Sequence, residues 1–376
     1  MNDRGLRLET LKKAKRLVVK IGSGVLTHHS EIIDLKIVES IASDLSVIAN
    51  MGKEVILVTS GAVAAGRRKL GLKGKPKSIP EKQAAAAAGQ STLIRFYEDA
   101  FDKRGKRVGQ ILLTGDALSN RERYLNARNT IFALLHHGVI PIINENDSVA
   151  VDEIKFGDND NLSAMVTGLA DADLLIILTD TDGLYDKDPR KFSDARLIET
   201  VRDFESQTRG ASIGISDTGT GGMLTKTEAA RKSATFGVPS LIANGEKKGV
   251  LLDIFNGGGS GTFFIPREER IKGKKKWIAY NINVSGTLLI DSGAKKALVA
   301  GKSLLPSGVK SVKGDFSFGD LVSISEEGGG EFARGLVQFD SDDLEKMKGL
   351  KSSEIVAILG KKDYDEVIHR DDMVIL

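Results

Sequence analysis

Six runs rich in Val, Ile and Leu, each about as long as one strand, recur along the first two thirds of the chain, at 16–21, 54–59, 108–113, 139–143, 174–179 and 238–242. Continuous apolar runs of this length are typical of strands that are buried on both faces. Helical patterns lie between them, for example at 34–51, where Asp34 is a suitable N-cap, and at 81–101. This alternation predicts an α/β fold with a mostly parallel central sheet between two layers of helices.

A different pattern follows the basic segment REERIKGKKK at 267–276. The segments SGTLLID, VKGDFSFGDLVSIS, EFARGLVQF and EIVAILG are strand-like and are separated by Gly and Asp turns. They predict a small, mostly-β barrel. We therefore expect a large α/β domain over 1–266, a basic linker over 267–279 and a second domain over 280–376.

The chain has no cysteine among its 376 residues. This excludes disulfides, thiolate zinc sites and cysteine nucleophiles, and it agrees with a reducing cytosol. The N-terminal segment lacks an apolar signal-like core and the later apolar runs are strand-sized, so we expect a cytoplasmic protein. The formal net charge of +3 is too small to indicate a nucleic-acid binder, and the five His residues show no metal-ligand spacing.

Amides and carboxylates are concentrated where the fourth run ends, in IINENDSVAVDEIKFGDNDN at 142–161. Such a cluster is too polar to be buried unpaired, and its donors and acceptors suit a small zwitterion with an ammonium group and carboxylates. A surface loop is the alternative, because Asn, Asp and Gly are common in turns. A calcium loop is disfavoured, because Leu162 and Leu169 occupy two of the positions that should supply ligands.

Two further strand ends carry candidate residues. Lys20 ends the first run just before Gly22, Ser23 and Gly24, so it points toward whatever the strand ends face. Ser60 follows the second run and precedes a helical segment, whose first free amides can hold an anion. Each has a plain alternative, since a strand-end lysine can be solvated and a serine can simply cap a helix.

The fifth run closes with Thr179 and Asp180, and a Gly-rich segment, GTGGMLTK at 219–226, places Lys226 at the start of another helical pattern. Glycines let backbone N–H groups approach phosphates, and a lysine supplies fixed positive charge. Alone, this segment could be an ordinary flexible loop. In a parallel sheet, however, all these segments fall on one edge, which predicts a single ligand site there.

Taken in order, VVKIGSGVL, VTSGAVAAG, INENDSVA, FGDNDNLSA, ILTDTDGLY and GTGGMLTK resemble the glutamate 5-kinase family of the amino acid kinase superfamily. The C-terminal segment is similar to the PUA domain that many bacterial members carry. The resemblance covers essentially the whole chain. It implies ATP-dependent phosphorylation of the side-chain carboxylate of L-glutamate to L-glutamyl 5-phosphate, the first step of proline biosynthesis, with ATP and Mg²⁺ as cofactors.

The resemblance also implies a role for each matching residue. Lys20 and Lys226 would contact the phosphates, and Asp158 would orient the two lysines. Glutamate would be bound by Ser60, Asp147, Asn159 and Asn144. ATP would contact Lys20, Thr179, Asp180, Thr220, Gly221, Gly222, Met223, Leu224, Thr225 and Lys226.

Partners and alternatives follow from the same resemblance. It implies a homo-oligomer, a dimer or tetramer, and proline as a feedback inhibitor. A kinase for N-acetylglutamate or aspartate is an alternative within the fold, but a carboxylate at Asp147 favours an acceptor with a free ammonium group. An RNA-binding PUA protein is disfavoured, because residues 281–376 carry 12 Lys+Arg against 16 Asp+Glu, a net charge of 12 − 16 = −4.

Overall fold

The computed structural model describes residues 3–28, 30, 32–115, 118, 121–149, 159–204, 222–266, 278, 284–326, 328–351, 354 and 364–376. It divides into two compact units, one of Met1–Ala117 and Glu122–Arg270 and one of Leu118–Arg121 and Ile271–Leu376. The limits expected for the linker, 267–279, lie almost wholly outside the described residues and stay a prediction. None of the helices within these ranges is both long and apolar enough to span a membrane.

The first unit is built on an eight-stranded sheet. Its strands are β1 (Arg16–Ile21), β2 (Glu54–Thr59), β3 (Arg107–Leu113), β4 (Val139–Glu145), β5 (Leu174–Thr179), β6 (Thr200–Val201), β7 (Ser240–Asn244) and β8 (Thr262–Phe264). Their order across the sheet is β3-β4-β2-β1-β5-β7-β8-β6, and only the β7–β8 pair is antiparallel among the described pairings. The predicted mostly parallel sheet is therefore confirmed, and all six predicted strands are present.

Two expectations about the strands were incomplete or wrong. The short strands β6 and β8 were not predicted, because two or three residues give no readable pattern. The run at 108–113 was expected to be buried on both faces, but β3 is the edge strand of the sheet and most of its side chains are partly or fully exposed. An edge strand is flanked on one side only, so its apolar composition overstates its burial.

The helices of this part of the chain are α1 (Asp3–Lys13), α2 (Ser23–Thr27), α3 (Leu35–Asn50), α4 (Ala62–Lys69), α5 (Ile79–Asp102), α6 (Arg121–His136), α7 (Asn159–Leu169), α8 (Met223–Thr235) and α9 (Val250–Phe255). Asp34 caps α3 as predicted, because its side chain accepts a 2.9 Å hydrogen bond from the peptide N–H of Lys36. The predicted helix at 81–101 is α5, which Ser78 caps.

The side chains of β1 alternate between the two faces of the sheet, so that one face contributes to the apolar core and the other carries Lys20. Leu17, Val19 and Ile21 belong to the apolar core that α3 and α5 complete. Successive side chains of a strand point to opposite faces, so Lys20 faces the other way. That second face is covered by α7, which packs against β1 and β5. The sequence thus places a lysine under a buried helix, where only a charged partner can stabilise it.

Helices α4 and α5 cross in close contact through two glycines. A Cβ built on Gly66 would lie 1.8 Å from the carbonyl oxygen of Ala85, and one on Gly89 would lie 1.9 Å from that of Ala62. Any side chain at these positions would push the helices apart. Because α4 begins directly after Ser60 and Gly61, this contact fixes the position of the second strand end relative to α5.

We expect Gly66→Ala to lower the free energy of unfolding by about 1–3 kcal/mol, since the clash is with backbone that cannot rotate away. Gly24→Ala is the matched control, because nothing lies within 4 Å of the Cβ position at Gly24. Urea unfolding of both variants and the wild type measures the difference. Equal midpoints for Gly66→Ala and the wild type would contradict the close-packing argument.

The second unit contains a five-stranded sheet in the order β10-β9-β11-β12-β13. Its elements are β9 (Gly286–Ile290), α10 (Ser292–Val299), β10 (Val309–Gly314), β11 (Leu321–Glu326), β12 (Glu331–Leu336), α11 (Ser341–Met347) and β13 (Met373–Ile375), with 3₁₀ turns at Pro306–Gly308 and Arg370–Asp372. The predicted small β domain is confirmed. The predicted strand EIVAILG at 354–360 lies, apart from Glu354, outside the described residues.

Candidate active site

The carboxyl ends of β4, β2, β1 and β5 lie next to one another along one edge of the sheet. Val58 pairs with Ile143, and Lys20 pairs with both Val58 and Ile177, so these strands end in register. The predicted site residues that follow these strand ends are therefore brought together. Gly22 has no side chain to obstruct this edge, and a Cβ at its position would lie 3.4 Å from Nζ of Lys20.

A buried cluster of two lysines and one carboxylate occupies the centre of this edge. One carboxylate oxygen of Asp160 forms an ion pair with Nζ of Lys20, and the other lies 3.1 Å from Nζ of Lys226. The exposed fractions of Lys20, Asp160 and Lys226 are 3%, 0% and 7%. The lysines come from β1 and α8 and the carboxylate from α7, so three elements distant in sequence meet in one cluster.

The charge state of this cluster follows from its contacts. Burial acts to raise the pKa of Asp160, but the nearby ammonium groups of Lys20 and Lys226 outweigh it and hold that pKa well below its usual range. Asp160 is therefore ionised at neutral pH. Among the described residues, one carboxylate stands against two ammonium groups, and low solvent access makes such positive charge effective toward a bound anion.

The first turn of α8 holds this arrangement in place. Oγ1 of Thr225 donates a hydrogen bond of 2.9 Å to Asp160 and lies 2.9 Å from the carbonyl oxygen of Gly222. Gly222 is the N-cap of the helix and has no side chain to occupy its free N–H groups. The helix start therefore offers both backbone donors and the Lys226 ammonium to an anionic ligand.

The role that we predicted for Asp158, contact with both lysines, is filled in the structure by Asp160. Asp158 itself lies outside the described residues. A signal in the sequence could have indicated Asp160. It is followed at helical spacing by Ser163 and Thr167, and all three are fully buried on α7. An acid that shares a buried helical face with small polar residues needs a cationic partner.

Beside this cluster, Ser60 and Asn159 form a second pair. Nδ2 of Asn159 donates a 2.9 Å hydrogen bond to Oγ of Ser60, which leaves the Ser60 hydroxyl hydrogen available to donate. The other side-chain atom, Oδ1 of Asn159, is buried and accepts no hydrogen bond within the described residues. Ser60 is followed by Gly61, which adopts a φ of 103° that favours glycine.

Asp147 lies just beyond the end of β4 and is half-buried. Burial raises the pKa of its carboxyl, although the charge of Lys82 partly opposes this. No cation of the described chain lies within ion-pair distance of this carboxylate. A half-buried carboxylate of this kind is stabilised when a cationic ligand binds beside it.

Asn144, predicted to lie near the substrate, is buried at the end of β4 and is fully engaged with protein groups. Its Oδ1 accepts a 2.9 Å hydrogen bond from the peptide N–H of Glu145, and its Nδ2 donates one of 2.9 Å to Oε1 of Gln90. Gln90 was not among the predicted site residues. It lies within an Ala-rich helix and belongs to no motif that the sequence displays.

Apart from Lys20, which belongs to the cluster described above, the residues predicted to contact ATP fall into three groups. Thr179 and Asp180 lie at the end of β5, where Oγ1 of Thr179 is 3.0 Å from Oδ1 of Asp180. Five others form the helix start described above, namely Gly222, Met223, Leu224, Thr225 and Lys226. Thr220 and Gly221 lie outside the described residues.

The described residues contain no group of three His, Asp or Glu side chains placed to hold a metal ion. The carboxylate at the centre, Asp160, is engaged by both lysines. This donor set fits a magnesium ion that enters with the nucleotide, because Mg²⁺ at such sites is held chiefly by phosphates and water.

Comparison with known proteins agrees with this geometry. Residues 15–244 match the model of the amino acid kinase family, and residues 286–359 match the PUA domain. A carbamate kinase from Giardia lamblia, solved bound to AMP-PNP, superimposes with a TM-score of 0.50 and is 16% identical. It covers 68% of this chain and 100% of its own, and at this identity it shows the fold alone.

Two curated relatives are more informative. The glutamate 5-kinase of Geobacter sulfurreducens is 51% identical over 373 residues, which cover 99% of this chain and 100% of that protein. The glutamate 5-kinase of Geobacter metallireducens is 52% identical over 373 residues, with the same coverage. The sheet edge, the lysine-rich cluster and the family model define a phosphotransferase of the amino acid kinase family. Within it, the chain belongs to the glutamate 5-kinases, which confirms the family predicted from the motifs.

Proposed function

We propose that this chain transfers the γ-phosphoryl group of ATP to the side-chain carboxylate of L-glutamate, giving L-glutamyl 5-phosphate for proline biosynthesis. The observation that carries the proposal is the buried pair of lysines on Asp160 beside the Ser60–Asn159 pair. One half of the edge supplies positive charge, and the other supplies hydrogen-bonding groups for a small polar acceptor.

The reaction brings two anions together, so charge neutralisation and in-line positioning contribute most to catalysis. The acceptor carboxylate has a reference pKa of about 4.3 and is already ionised at neutral pH, so no general base is needed. Lys20 and Lys226 stabilise the negative charge on the phosphoryl group as it passes between the two oxygens. Asp160 acts as a positioning residue that holds the two ammonium groups.

ATP is bound by Thr179 and Asp180 at the end of β5 and by the start of α8, where Lys226 contacts the phosphates. Magnesium bound to the nucleotide phosphates supplies further charge neutralisation. The acceptor is bound on the opposite side of Lys20, toward β2 and β4. In this arrangement the acceptor carboxylate binds between Ser60 and the lysines.

The acceptor's α-ammonium group is bound by Asp147 and by Oδ1 of Asn159. Asp147 has no ion-pair partner among the described residues, and Asn159 Oδ1 is a buried acceptor without a donor. Neither group has a partner among the described residues, and an ammonium group bound between them satisfies both. An N-acetylated acceptor has no such charge and would leave the Asp147 carboxylate uncompensated, which disfavours N-acetylglutamate as the acceptor.

We expect L-glutamate to be phosphorylated with a kcat/KM at least about 100-fold above that of N-acetyl-L-glutamate, because the uncompensated carboxylate costs a few kcal/mol. ADP release coupled to NADH oxidation measures both acceptors. In Asp147→Asn the ratio of kcat/KM for L-glutamate to that for N-acetyl-L-glutamate should fall by about tenfold or more, since the amide no longer requires a cation. Faster phosphorylation of the acetylated acceptor by the wild type would refute the assignment of Asp147.

Three further expectations rest on the family resemblance. Proline is expected to act as a feedback inhibitor, the chain to assemble into a dimer or tetramer, and the cytoplasm to be its location. The negative charge of the C-terminal domain favours a structural or regulatory role for it over RNA binding. Each of these stays a prediction.

A further inference from the structure

Gln90 lies on α5 at the acceptor side of the proposed site, and its hydrogen bonds define which way its amide points. Its Oε1 accepts a hydrogen bond from Asn144 at the end of β4. The residue before it, Gly89, packs against the backbone of Ala62 and Gly66, which follow Ser60 and Gly61. Two independent contacts therefore hold Gln90 next to the ends of β2 and β4.

The orientation of the Gln90 amide follows from a chain of obligatory donors. The peptide N–H of Glu145 can only donate, so the Asn144 atom that meets it at 2.9 Å is the oxygen. The remaining Asn144 atom is then the NH₂ group, which can only donate, and it does so to Gln90. The Gln90 atom at that contact is therefore Oε1, and its other terminal atom is the donor Nε2.

Nε2 of Gln90 carries two N–H donors, and none of the residues within the described ranges accepts a hydrogen bond from it. Gln90 is half-buried, and its Nε2 is not among the fully buried atoms that lack a partner, so these donors stay accessible to a ligand. The two N–H bonds of this nitrogen diverge, so each can donate to a separate acceptor, and a charged oxygen accepts the stronger hydrogen bond. A carboxylate is the ligand group that suits this position.

The position of Gln90 along the sheet edge indicates which of the two carboxylates of the acceptor it would bind. The strands run in the order β4, β2, β1, β5, and the lysine cluster is centred on β1. The reacting carboxylate must lie at the lysines. Gln90, bound to the end of β4, lies on the far side of Ser60, where the other end of the acceptor would lie.

We propose that Gln90 binds the α-carboxylate of the acceptor amino acid through Nε2, with Asn144 fixing the orientation of its amide. This inference rests on the proposed glutamate kinase function. Together with Asp147 and Asn159, it gives the acceptor site partners for both charged groups on the α-carbon of the substrate. Gln90 is thus a substrate-binding residue that distinguishes α-amino acids from amines or amides.

Gln90→Glu tests this role, because it keeps an oxygen to accept from Asn144 and replaces only the donor. We expect the KM for glutamate to rise about 10- to 100-fold, with kcat and the KM for ATP within about threefold of the wild type. A purely structural role for Gln90 predicts no rise, since the introduced carboxylate accepts the Asn144 hydrogen bond equally well.

The deciding measurement compares L-glutamate with L-isoglutamine, the α-amide that retains the side-chain carboxylate. In Gln90→Glu the ratio of their kcat/KM values should fall at least about tenfold, because the introduced carboxylate repels an α-carboxylate and accepts a hydrogen bond from an α-amide. An unchanged ratio would overturn the proposal, whether or not the KM for glutamate rises. A lower ratio supports it.

Two controls keep the test interpretable. Gln110→Glu makes the same change at an exposed position of β3 and should leave the ratio and both KM values unchanged. If Gln90→Glu does not fold, as judged by thermal unfolding, Gln90→Met removes the donors without adding charge and should also lower the ratio. If the wild type releases no ADP with glutamate, the proposed function fails; if the wild type is active and the ratio is unchanged in the variants, only the role of Gln90 fails.

Discussion

Replacing Lys20 or Lys226 by Ala is expected to lower kcat at least about 100-fold while the KM for glutamate stays within about threefold. Each ammonium group is buried and paired with Asp160, so neither lysine takes part in a surface ion pair whose loss could explain the effect. In the proposed mechanism both act on the transferring phosphoryl group, whose negative charge is spread over its three equatorial oxygens. The acceptor contacts assigned to Ser60, Asp147 and Asn159 remain intact in these variants.

Steady-state kinetics with glutamate and ATP varied independently separate these effects. Lys36→Ala is a matched control, because Lys36 is an exposed lysine on α3 and its removal should leave kcat unchanged. If either buried lysine could be removed without loss of turnover, the cluster would not be the centre for phosphoryl transfer.

Asp160→Asn is expected to have the second large effect, because it leaves two buried ammonium groups without a counter-charge. Removing one partner of a buried ion pair typically costs about 3–5 kcal/mol of stability. We expect the melting temperature to fall and kcat to drop at least about 100-fold, because the lysines lose the group that positions them. Asp99→Asn, an exposed acid on α5, is the control and should change neither.

The pH dependence of the free energy of unfolding is a second test of the ion pairs that Asp160 forms. A carboxyl whose pKa is depressed in the folded state stabilises that state above its unfolded pKa, about 3.9, and this contribution is lost as the pH falls toward the folded pKa. The stability difference between the wild type and Asp160→Asn should therefore be full at neutral pH and shrink below about pH 4. A difference that grew in acid would contradict the assigned ion pairs.

The fold was largely predictable because buried parallel strands are encoded locally. The runs that became β1, β2 and β5 are rich in Val, Ile and Leu, and all of their residues except Arg16 and Glu54 at the strand starts are buried as expected. The run that became β3 is almost as apolar, but its burial depends on its place at the sheet edge. The residues of a strand do not by themselves determine whether it lies at the edge of the sheet, because its position depends on which strands pair.

The site was predictable in its outline and less so in its details. Lys20 and Lys226 were recognised because each adjoins a Gly-rich segment at a strand end or helix start. Asp160 was not predicted, because its signal lies in its helical spacing to Ser163 and Thr167 and not in the acidic loop before it. The role of Asp158 stays a prediction, since that residue lies outside the described residues. Gln90 gave no signal, because its role depends on a hydrogen bond to Asn144, 54 positions away in the chain.

The central claim is that the lysine cluster transfers a phosphoryl group to the side-chain carboxylate of free glutamate. The direct measurement incubates the full chain with ATP, Mg²⁺ and L-glutamate, follows ADP release, and traps the product with hydroxylamine, which converts an acyl phosphate to a hydroxamate. We predict equal amounts of ADP and γ-glutamyl hydroxamate, with neither formed above background by Lys20→Ala. ADP release without hydroxamate, or faster release with N-acetylglutamate or aspartate, would contradict the claim.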